Sequence, residues 1–422
     1  MKELIRPVKG TRDFYPVEMA ERSWMIEAMR TISNRFGYQE YDGPCLETLD
    51  LYAAKSGEEL VKEQSFVFPD RGGDQIALRP ELTPTLARMI AAKQNELVFP
   101  LRWWAFGPFW RYERPQKGRS REFFQWNIDL LGVDKVEADA EIVAVAARFL
   151  EFVGLGPDKV KIFVNDRRLM DACLEQLGLT KDKRMSAFRL IDKLDKLSPL
   201  SWEKYALEQG LSQEQIAGLK TILDDKLLWK KSEDLSSFFR IVDWLGIKDY
   251  VEFDPQIIRG LDYYTGIVFE GKDVEGKFRA IFGGGHYDNL VADVGGNSIP
   301  GVGFAMGDVV IQLVLKAFNC IPSKINTSSK VMVTVFDEQS LEDTYRISTK
   351  LRNAGINVLT YPEADKLSKQ IKFADRMGIQ LAIIVGPDER LNGSVAIKNL
   401  LTREQVVVKF DQVTEQIREF LD

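Results

Sequence analysis

Two stretches of this chain, Arg102–Glu113 and Arg121–Val133, each read as a strand, and only Arg114–Ser120 separates them. That connection is polar, with one proline and one glycine, so the two stretches fold back on each other as a long antiparallel hairpin. No other feature constrains the fold as strongly, and it also bears on function. Between Arg102 and Arg121 the cations Arg102, Arg111, Arg114, Lys117, Arg119 and Arg121 meet a single acid, Glu113, and are interleaved with Trp103, Trp104, Phe106, Phe109, Trp110 and Tyr112. A charge run is ordinarily a solvated face. Here the arginines flank large aromatics on a hairpin, so some are partly enclosed, and the fixed fork of guanidinium donors suits phosphate or carboxylate. The expected ligand is an anion.

The chain as a whole is not basic. Its net charge is −6, so any nucleic acid has to be met by local patches. With 422 residues, 45% hydrophobic and 28% charged, there is room for two or three domains of an ordinary globular protein. No apolar run approaches the ~18 residues of a membrane helix. Met1–Gly10 lacks the hydrophobic stretch of a secretory signal, so a cytoplasmic protein with no membrane partner is expected. Cys45, Cys173 and Cys320 lie far apart without a CxxC, and His286 is the only histidine. A disulfide framework, a cysteine zinc cluster and a multi-histidine site are thereby excluded, and no protein-built metal site is expected.

Periodicity orders the rest. Met25, Met29, Ile32 and Phe36 mark one face of a long helix that starts after Pro16 and ends at Gly37. Tyr38–Asp42 reads as a strand stopped at Gly43-Pro44, Phe66–Pro69 and Gln75–Arg79 as a hairpin, and Leu82–Ala92 as a helix. After the central hairpin come a helix over Glu137–Phe152, a strand over Val160–Val164, and a helix-patterned segment, Leu169–Gly246, that reads as an insertion. Strand signals return at Val268–Glu270, Phe278–Phe282 and Phe304–Met306, before an apolar helix over Val309–Phe318. Ile321–Ser329 is polar, with a proline and two adjacent serines, and reads as a linker. Beyond it, strands Val331–Phe336, Asn357–Tyr361 and Leu381–Val385 alternate with helices near 341–353 and 366–377, and a hairpin (395–400, 405–410) and a last helix follow. That alternation is an α/β module with a largely parallel sheet. The expected division is therefore 1–320, with an insertion at about 169–246, a linker over 321–329, and a module over 330–422.

Four further patterns carry weaker signals. Residues 271–277 (GKDVEGK) nearly fit a phosphate-binding loop, but Phe278 stands where Ser or Thr is needed and a strand follows, so a hairpin turn is expected. In 259–270 (RGLDYYTGIVFE) an arginine, two tyrosines and a carboxylate lie beside glycines; on a regular strand only one of Tyr263 and Tyr264 could face a ligand. Residues 283–288 (GGGHYD) read as a glycine run before a turn, with His286 a hydrogen-bonded residue without catalytic role. Lys366, Lys369, Lys372 and Arg376 share one helix face, opposite Leu367, Ile371 and Ala374, in a module with 13 basic and 14 acidic residues. The cationic stripe is thus a local feature.

Together these segments resemble, in chain order, the class II histidyl-tRNA synthetases. The first helix with FGYQEYDGP and Glu47 resembles the class II dimer motif, Arg79–Thr83 (RPELT) the amino-acid-binding turn, and Arg111–Gln125 (RYERPQKGRSREFFQ) the second class II motif in its histidyl form. RGLDYY and GGGHYD resemble two histidine-specific motifs, Gly301–Gly307 (GVGFAMG) the third class II motif, and the last ninety or so residues, with ADKLSKQIKFADRMGIQLAIIVG, the anticodon-binding domain. Only the helical insertion carries no recognisable motif.

The resemblance implies an α+β fold: a mainly antiparallel class II catalytic sheet flanked by helices, a helical insertion, and a C-terminal α/β anticodon-binding domain. It also implies a homodimer. The implied activity uses ATP and Mg2+ to turn L-histidine into histidyl-adenylate and then charges the 3′ end of tRNA(His). Arg111 and Arg259 are the implied catalytic clamps at the α-phosphate and reacting carboxylate. Glu113, Arg119 and Arg121 join Arg111 at ATP, with Glu113 on the adenine side. Glu81, Thr83 and Gln125 hold the substrate amino group, and Asp129 and Tyr264, with Tyr263 beside them, meet the imidazole. Gln116, Lys117 and Arg119 resemble the tip that meets the tRNA acceptor end, and Lys366, Lys369, Lys372 and Arg376 are expected on the anticodon arm. Two positions depart from the pattern: His286 replaces an arginine, and Asp308-Val309-Val310 replaces Leu-Glu-Arg, removing the γ-phosphate arginine at Val310. Arg119 or Arg121 is expected to substitute. The alternative implied by the same resemblance is a non-catalytic paralogue that regulates ATP phosphoribosyltransferase, a reading that RGLDYY and the C-terminal module oppose.

Overall fold

The computed structural model describes residues 5–53, 64–116, 118–194, 197–258, 263–322 and 329–421. The chain divides into two compact units, Met1–Phe14 with Glu21–Pro322, and Tyr15–Ala20 with Ser323–Asp422. Most of the expected linker, 323–328, lies outside the described residues.

In chain order the elements up to Pro322 are α1 (Pro16–Arg35), β1 (Gln39–Glu40), β2 (Leu46–Thr48), α2 (Leu49–Ala53), β3 (Phe66–Pro69), β4 (Gln75–Leu78), α3 (Thr83–Lys93), β5 (Leu101–Trp110), β6 (Glu122–Leu131), α4 (Val136–Phe152), β7 (Val160–Asp166), α5 (Arg167–Gln176), α6 (Lys181–Asp192), α7 (Pro199–Glu208), α8 (Gln213–Asp224), α9 (Glu233–Trp244), β8 (Val251–Phe253), β9 (Ile267–Asp273), β10 (Phe282–Tyr287), β11 (Gly301–Gly307) and α10 (Asp308–Ala317). Eight strands form one sheet in the order β1-β5-β6-β11-β10-β9-β7-β8. Its six inner strands are mutually antiparallel, and only the short edge strands β1 and β8 run parallel to their neighbours.

The alternation along β6 explains why this sheet has one dry and one polar face. Trp126, Ile128 and Leu130 point to one side and join Met25, Met29 and Ile32 of α1 and the alanine-rich face of α4 in a single core. Trp126 is fully buried, edge-on to Phe304, and its indole N–H donates to Ser33 Oγ at 3.2 Å. Gln125, Asn127 and Asp129 point to the other side, where a sheet built only for packing would carry apolar residues. The helices α5–α9 are the expected insertion; Ile191, Trp202, Leu219 and Phe238 continue the same core, so the insertion is packed into the unit.

The sequence-based expectations need correction at several places. The hairpin strands end at Trp110 and begin at Glu122, not at Glu113 and Arg121, because the Tyr112 N–H donates to the Gln64 carbonyl instead of to the opposite strand. Only Gln39 and Glu40 of Tyr38–Asp42 pair in the sheet. The three-residue β2, too short to show alternation, was not foreseen. GGGHYD lies largely within β10, a fully buried central strand, and the bend expected after it begins at Asp288. Glycine is demanded there by close approach, since a Cβ at Gly284 would sit 2.2 Å from the Gly303 carbonyl oxygen. GKDVEGK does form the turn between β9 and β10; the buried Asp273 carboxylate accepts the N–H groups of Lys277 and Phe278, and Gly276 takes φ +63°.

The second unit has strands β12 (Val331–Val333), β13 (Val358–Thr360), β14 (Leu381–Ile384), β15 (Ser394–Asn399) and β16 (Gln405–Lys409), with helices α11 (Leu341–Asn353), α12 (Leu367–Arg376), α13 (Pro387–Leu391) and α14 (Val413–Leu421). The order is β13-β12-β14-β15-β16, parallel for the first three and antiparallel for the rest. What anchors α12 is a residue that periodicity overlooks. Gln370 is fully buried, accepts from the Val335 N–H, and donates to the Val335 and Asp365 carbonyls. Among the described residues no helix is long and apolar enough to cross a membrane.

Candidate active site

A cavity of about 800 Å³ opens on the polar face of the large sheet. Its floor is made of alternate residues on four adjacent strands: Phe123 and Gln125 of β6, Ala305 and Gly307 of β11, Gly283 of β10, and Glu270 and Lys272 of β9. The register places Gln125 beside Gly307, and Gly283 between Ala305 and Glu270. Arg111, Glu113, Gly118 and Arg119 at the hairpin tip form one wall, and Ile191, Asp192 and Leu194 of the insertion another. The rim carries Phe278 and Arg279 from the β9–β10 turn, with Val309 and Val310 from the start of α10.

The expected site residues gather here in part. Arg111 is held over the Phe123 ring, 5.4 Å from its centroid, with Nε donating to the Pro80 carbonyl at 3.0 Å. Arg119 pairs with Glu113 at 2.9 Å, and its backbone bridges to Gln116 to close the tip. Arg121 turns away. Its Nε donates to the Glu113 carbonyl, its guanidinium lies 4.2 Å over the Tyr112 ring, and it does not line the cavity. Lys117 and Arg259 lie outside the described residues.

Further along the same face is a more enclosed, aromatic region. Asp129, four residues beyond Gln125, is buried and accepts a hydrogen bond from Tyr287 Oη at 2.8 Å. Burial pushes its carboxyl up to about 7 against the downward pull of the Tyr287 hydroxyl. The same burial, with the nearby Asp129 charge, raises the Tyr287 and Tyr41 phenols well above their ordinary value. Tyr263 and Tyr264 stand before β9 begins, so strand alternation does not separate them; their rings are 4.7 Å apart, and Tyr263 meets Tyr287 edge-on. Glu81 is buried just before α3, which Thr83 opens. Arg79, fully buried, fixes that entry with bonds to the Pro108 and Gly43 carbonyls and to Asp42.

Some contributors had no readable signal. Asp308 is fully buried, accepts the Phe124 N–H at 2.9 Å and pairs with Arg12 at 2.7 Å, while Arg22 stacks 3.6 Å over the Phe124 ring. Phe124 faces away from the cavity floor, so this cluster supports the sheet from behind. The insertion residues Ile191, Asp192 and Leu194, and Arg279 on the turn, were also missed: each lies far in sequence from the hairpin it joins. His286 is buried between carboxylates, with Nδ1 3.1 Å from Asp139 and Nε2 3.2 Å from Asp288. Burial alone would lower its pKa, but the bonds and charges of Asp139 and Asp288 outweigh that and raise it. It is hydrogen-bonded, as expected.

A cavity floored by an antiparallel sheet and walled by arginines, with a desolvated carboxylate among tyrosines further along the same sheet face but outside the cavity lining, suits a ligand that is anionic at one end and a hydrogen-bonding ring at the other. Comparison with known proteins agrees. The histidyl-tRNA synthetase profile matches residues 10–308, and the anticodon-binding domain profile matches residues 330–420. This chain belongs to the histidyl-tRNA synthetase family. It is 38% identical over 430 residues to the histidine–tRNA ligase of Opitutus terrae, covering 97% of each chain. It is 36% identical to the chloroplastic/mitochondrial histidine–tRNA ligase of Arabidopsis thaliana, covering 97% of this chain and 86% of that one. The crystal structure of the histidyl-tRNA synthetase from Nostoc superimposes with a TM-score of 0.85 at 26% identity, covering 99% of this chain and all of the other. Within this synthetase, Val310 puts an apolar branch at the cavity rim, while Asp308 beside it is committed to Arg12 and β6.

Proposed function

We propose that histidine and ATP meet in the cavity above β6. The chain activates L-histidine with ATP and transfers the histidyl group to tRNA(His); ligase relatives that match it over nearly its whole length disfavour the regulatory alternative. The observation that carries the site assignment is Asp129 lying on the same face of β6 as Gln125, four residues further along, with Gln125 lining the arginine-walled cavity.

The reaction asks for positioning and charge compensation more than for a protein nucleophile. A histidine carboxylate oxygen attacks the α-phosphorus, and the bond to the bridging oxygen breaks, releasing pyrophosphate with its electron pair. Arg111 sits where it compensates the charge at the α-phosphate, and Arg259 is assigned the same task from the reacting carboxylate. Gln125, Glu81 and Thr83 fix the amino group. Asp129 accepts an imidazole N–H, with Tyr264 and Tyr263 closing the ring site, so an analogue without ring nitrogens strands a buried carboxylate. Glu113 faces the adenine. In the second step a ribose hydroxyl at the tRNA 3′ end attacks the carbonyl carbon, and AMP leaves; Gln116, Lys117 and Arg119 are assigned to that end.

Magnesium fits this donor set. Glu270 is an oxygen donor on the cavity floor, beside Lys272, and is not given another task. Such an ion keeps most of its waters and takes further oxygens from phosphates; bound there, it would neutralise charge on the departing pyrophosphate. Residues 1–320 act as the catalytic domain and 330–422 as the anticodon-binding domain, in a cytoplasmic homodimer that should sediment at twice the 48.1 kDa chain mass.

Histidine-dependent ATP–pyrophosphate exchange, followed by charging of tRNA(His), tests the activity. Absence of exchange in pure protein would remove it. The α12 stripe gives a separate test. Lys366, Lys369, Lys372 and Arg376 are all exposed, and of their charges Lys369 is paired with Asp365. Replacing all four with Ala should raise the KM for tRNA roughly tenfold or more and flatten its salt dependence, with exchange unchanged. An unaltered tRNA KM would return the stripe to a solvated face.

A further inference from the structure

Val310 leaves a gap in the positive wall at the rim of the cavity, and the structure offers a cation to fill it from a different part of the chain. The described cations lining the cavity are Arg111, Arg119, Lys272 and Arg279. Three of them are engaged: Arg111 with the Pro80 carbonyl, Arg119 with Glu113, and Lys272 with Glu270. Among the described residues, Arg279 makes no hydrogen bond or ion pair.

Its backbone, by contrast, is firmly placed. Upstream, Asp273 is 3% exposed and accepts the N–H groups of Lys277 and Phe278 at 2.8 and 3.0 Å. Downstream, the Ile281 N–H donates to the Gly271 carbonyl at 2.7 Å. Arg279 is thus presented from a turn clamped on both sides. Its stem passes the hairpin tip: a Cβ built on Gly118 would lie 3.5 Å from Arg279 Cδ and 3.7 Å from Val310 Cγ2. Those are ordinary contact distances, so the hairpin tip, Arg279 and Val310 are close neighbours at the rim, and Gly118 itself is called for by its φ of +82°. A guanidinium with free donors, held on rigid backbone beside a second arginine and an apolar gap, is the arrangement expected where a polyanion completes the pairing.

We propose that Arg279, together with Arg119, binds the outer phosphates of ATP in this chain and takes the place that Val310 cannot fill. The proposal rests on the assignment of this cavity to histidine activation. Partial burial and the like charge of Arg119 depress the Arg279 pKa, with Glu113 opposing; Glu113 is already paired with Arg119, so the two guanidinium groups share a single carboxylate, and an incoming triphosphate relieves the remaining repulsion. Arg121, stacked outside on Tyr112, is left with a supporting role at the Glu113 backbone.

The experiment compares two ligands in the full-length protein. Arg279→Gln keeps most of the stem and removes the charge; Arg279→Lys restores a charge without the fork. In histidine-dependent exchange, Arg279→Gln should raise the ATP KM roughly 10- to 100-fold, with Arg279→Lys between it and the unaltered protein and the histidine KM little changed. A non-hydrolysable histidyl-adenylate analogue, which lacks the outer phosphates, should bind both variants as tightly as the unaltered protein. A flat ATP KM would overturn the role of Arg279, and so would equal losses for ATP and the analogue, which would mark a structural residue. Failure of the unaltered protein both to exchange and to bind the analogue would remove the synthetase assignment and this proposal with it.

Discussion

Replacing Arg111 by Ala is expected to lower kcat for histidine-dependent pyrophosphate exchange by roughly 100- to 1000-fold, the scale of losing one preorganised donor at a developing charge. The side chain is positioned for this from two directions, by the Pro80 carbonyl at Nε and by the Phe123 ring beneath. Neither contact is a buried ion pair, so the melting temperature should fall by no more than a few degrees. The histidine and ATP KM values should move much less than kcat, because the lost interaction strengthens as charge gathers in transit. A kcat within tenfold of the unaltered value would place the α-phosphate elsewhere.

Asp129→Asn separates binding from stability with effects of opposite sign. The amide keeps an acceptor for Tyr287 but loses the charge that meets the imidazole, so the histidine KM should rise on the order of 100-fold. The stability effect follows from linkage. Burial raises the folded carboxyl to about 7, above the ordinary value of 3.8. The native state therefore holds a proton that the unfolded chain has released between about pH 4 and 7. Stability contributed by this group falls as pH rises through that window, and above it the full penalty remains. The Asn variant should thus be more stable than the unaltered protein at pH 8, on the order of a few kcal/mol, with the gap closing as pH falls toward 4. Denaturant melts at both pH values measure this. An Asn variant less stable at pH 8 would show that the carboxylate is better compensated than its surroundings suggest.

What sequence could and could not reveal follows from how far apart the partners lie. The hairpin was legible because both strands and their turn are contiguous, and the module after Ser329 because its periods of two and 3.6 alternate cleanly. The polar residues of β6 were legible because Gln125, Asn127 and Asp129 alternate with Trp126, Ile128 and Leu130. The end of that hairpin was not, since the Tyr112 N–H is claimed by Gln64 from nearly fifty residues away. The bend after GGGHYD was legible, but the strand that carries it was not, because its glycines answer to a neighbouring strand that only the folded sheet brings close. Arg279 carried no local pattern at all. Its meaning depends on Gly118 and Val310, which reach it only through the order of the sheet. Arg121 and Arg119, one residue apart from each other across Ser120, looked equivalent in sequence, yet they leave the tip in opposite directions.

The glycines of the cavity strands also bear on how this pocket could be altered. A methyl group at Gly303 would meet Asp129 Oδ1 at 2.3 Å, and one at Gly285 would press on the Ile267 carbonyl and the Tyr264 ring at 2.8–2.9 Å. Gly307, on the same strand as Gly303, would meet nothing within 4 Å. Selection or laboratory evolution toward other substrates therefore has unequal freedom along β11. Around the ring site it is confined to exchanging side chains that already exist, because the backbone itself is the wall. At the Gln125 end of the cavity floor it could add bulk at Gly307 and shrink the space stepwise. The two ends of one strand are thus open to different mutations, and one can drift without the other.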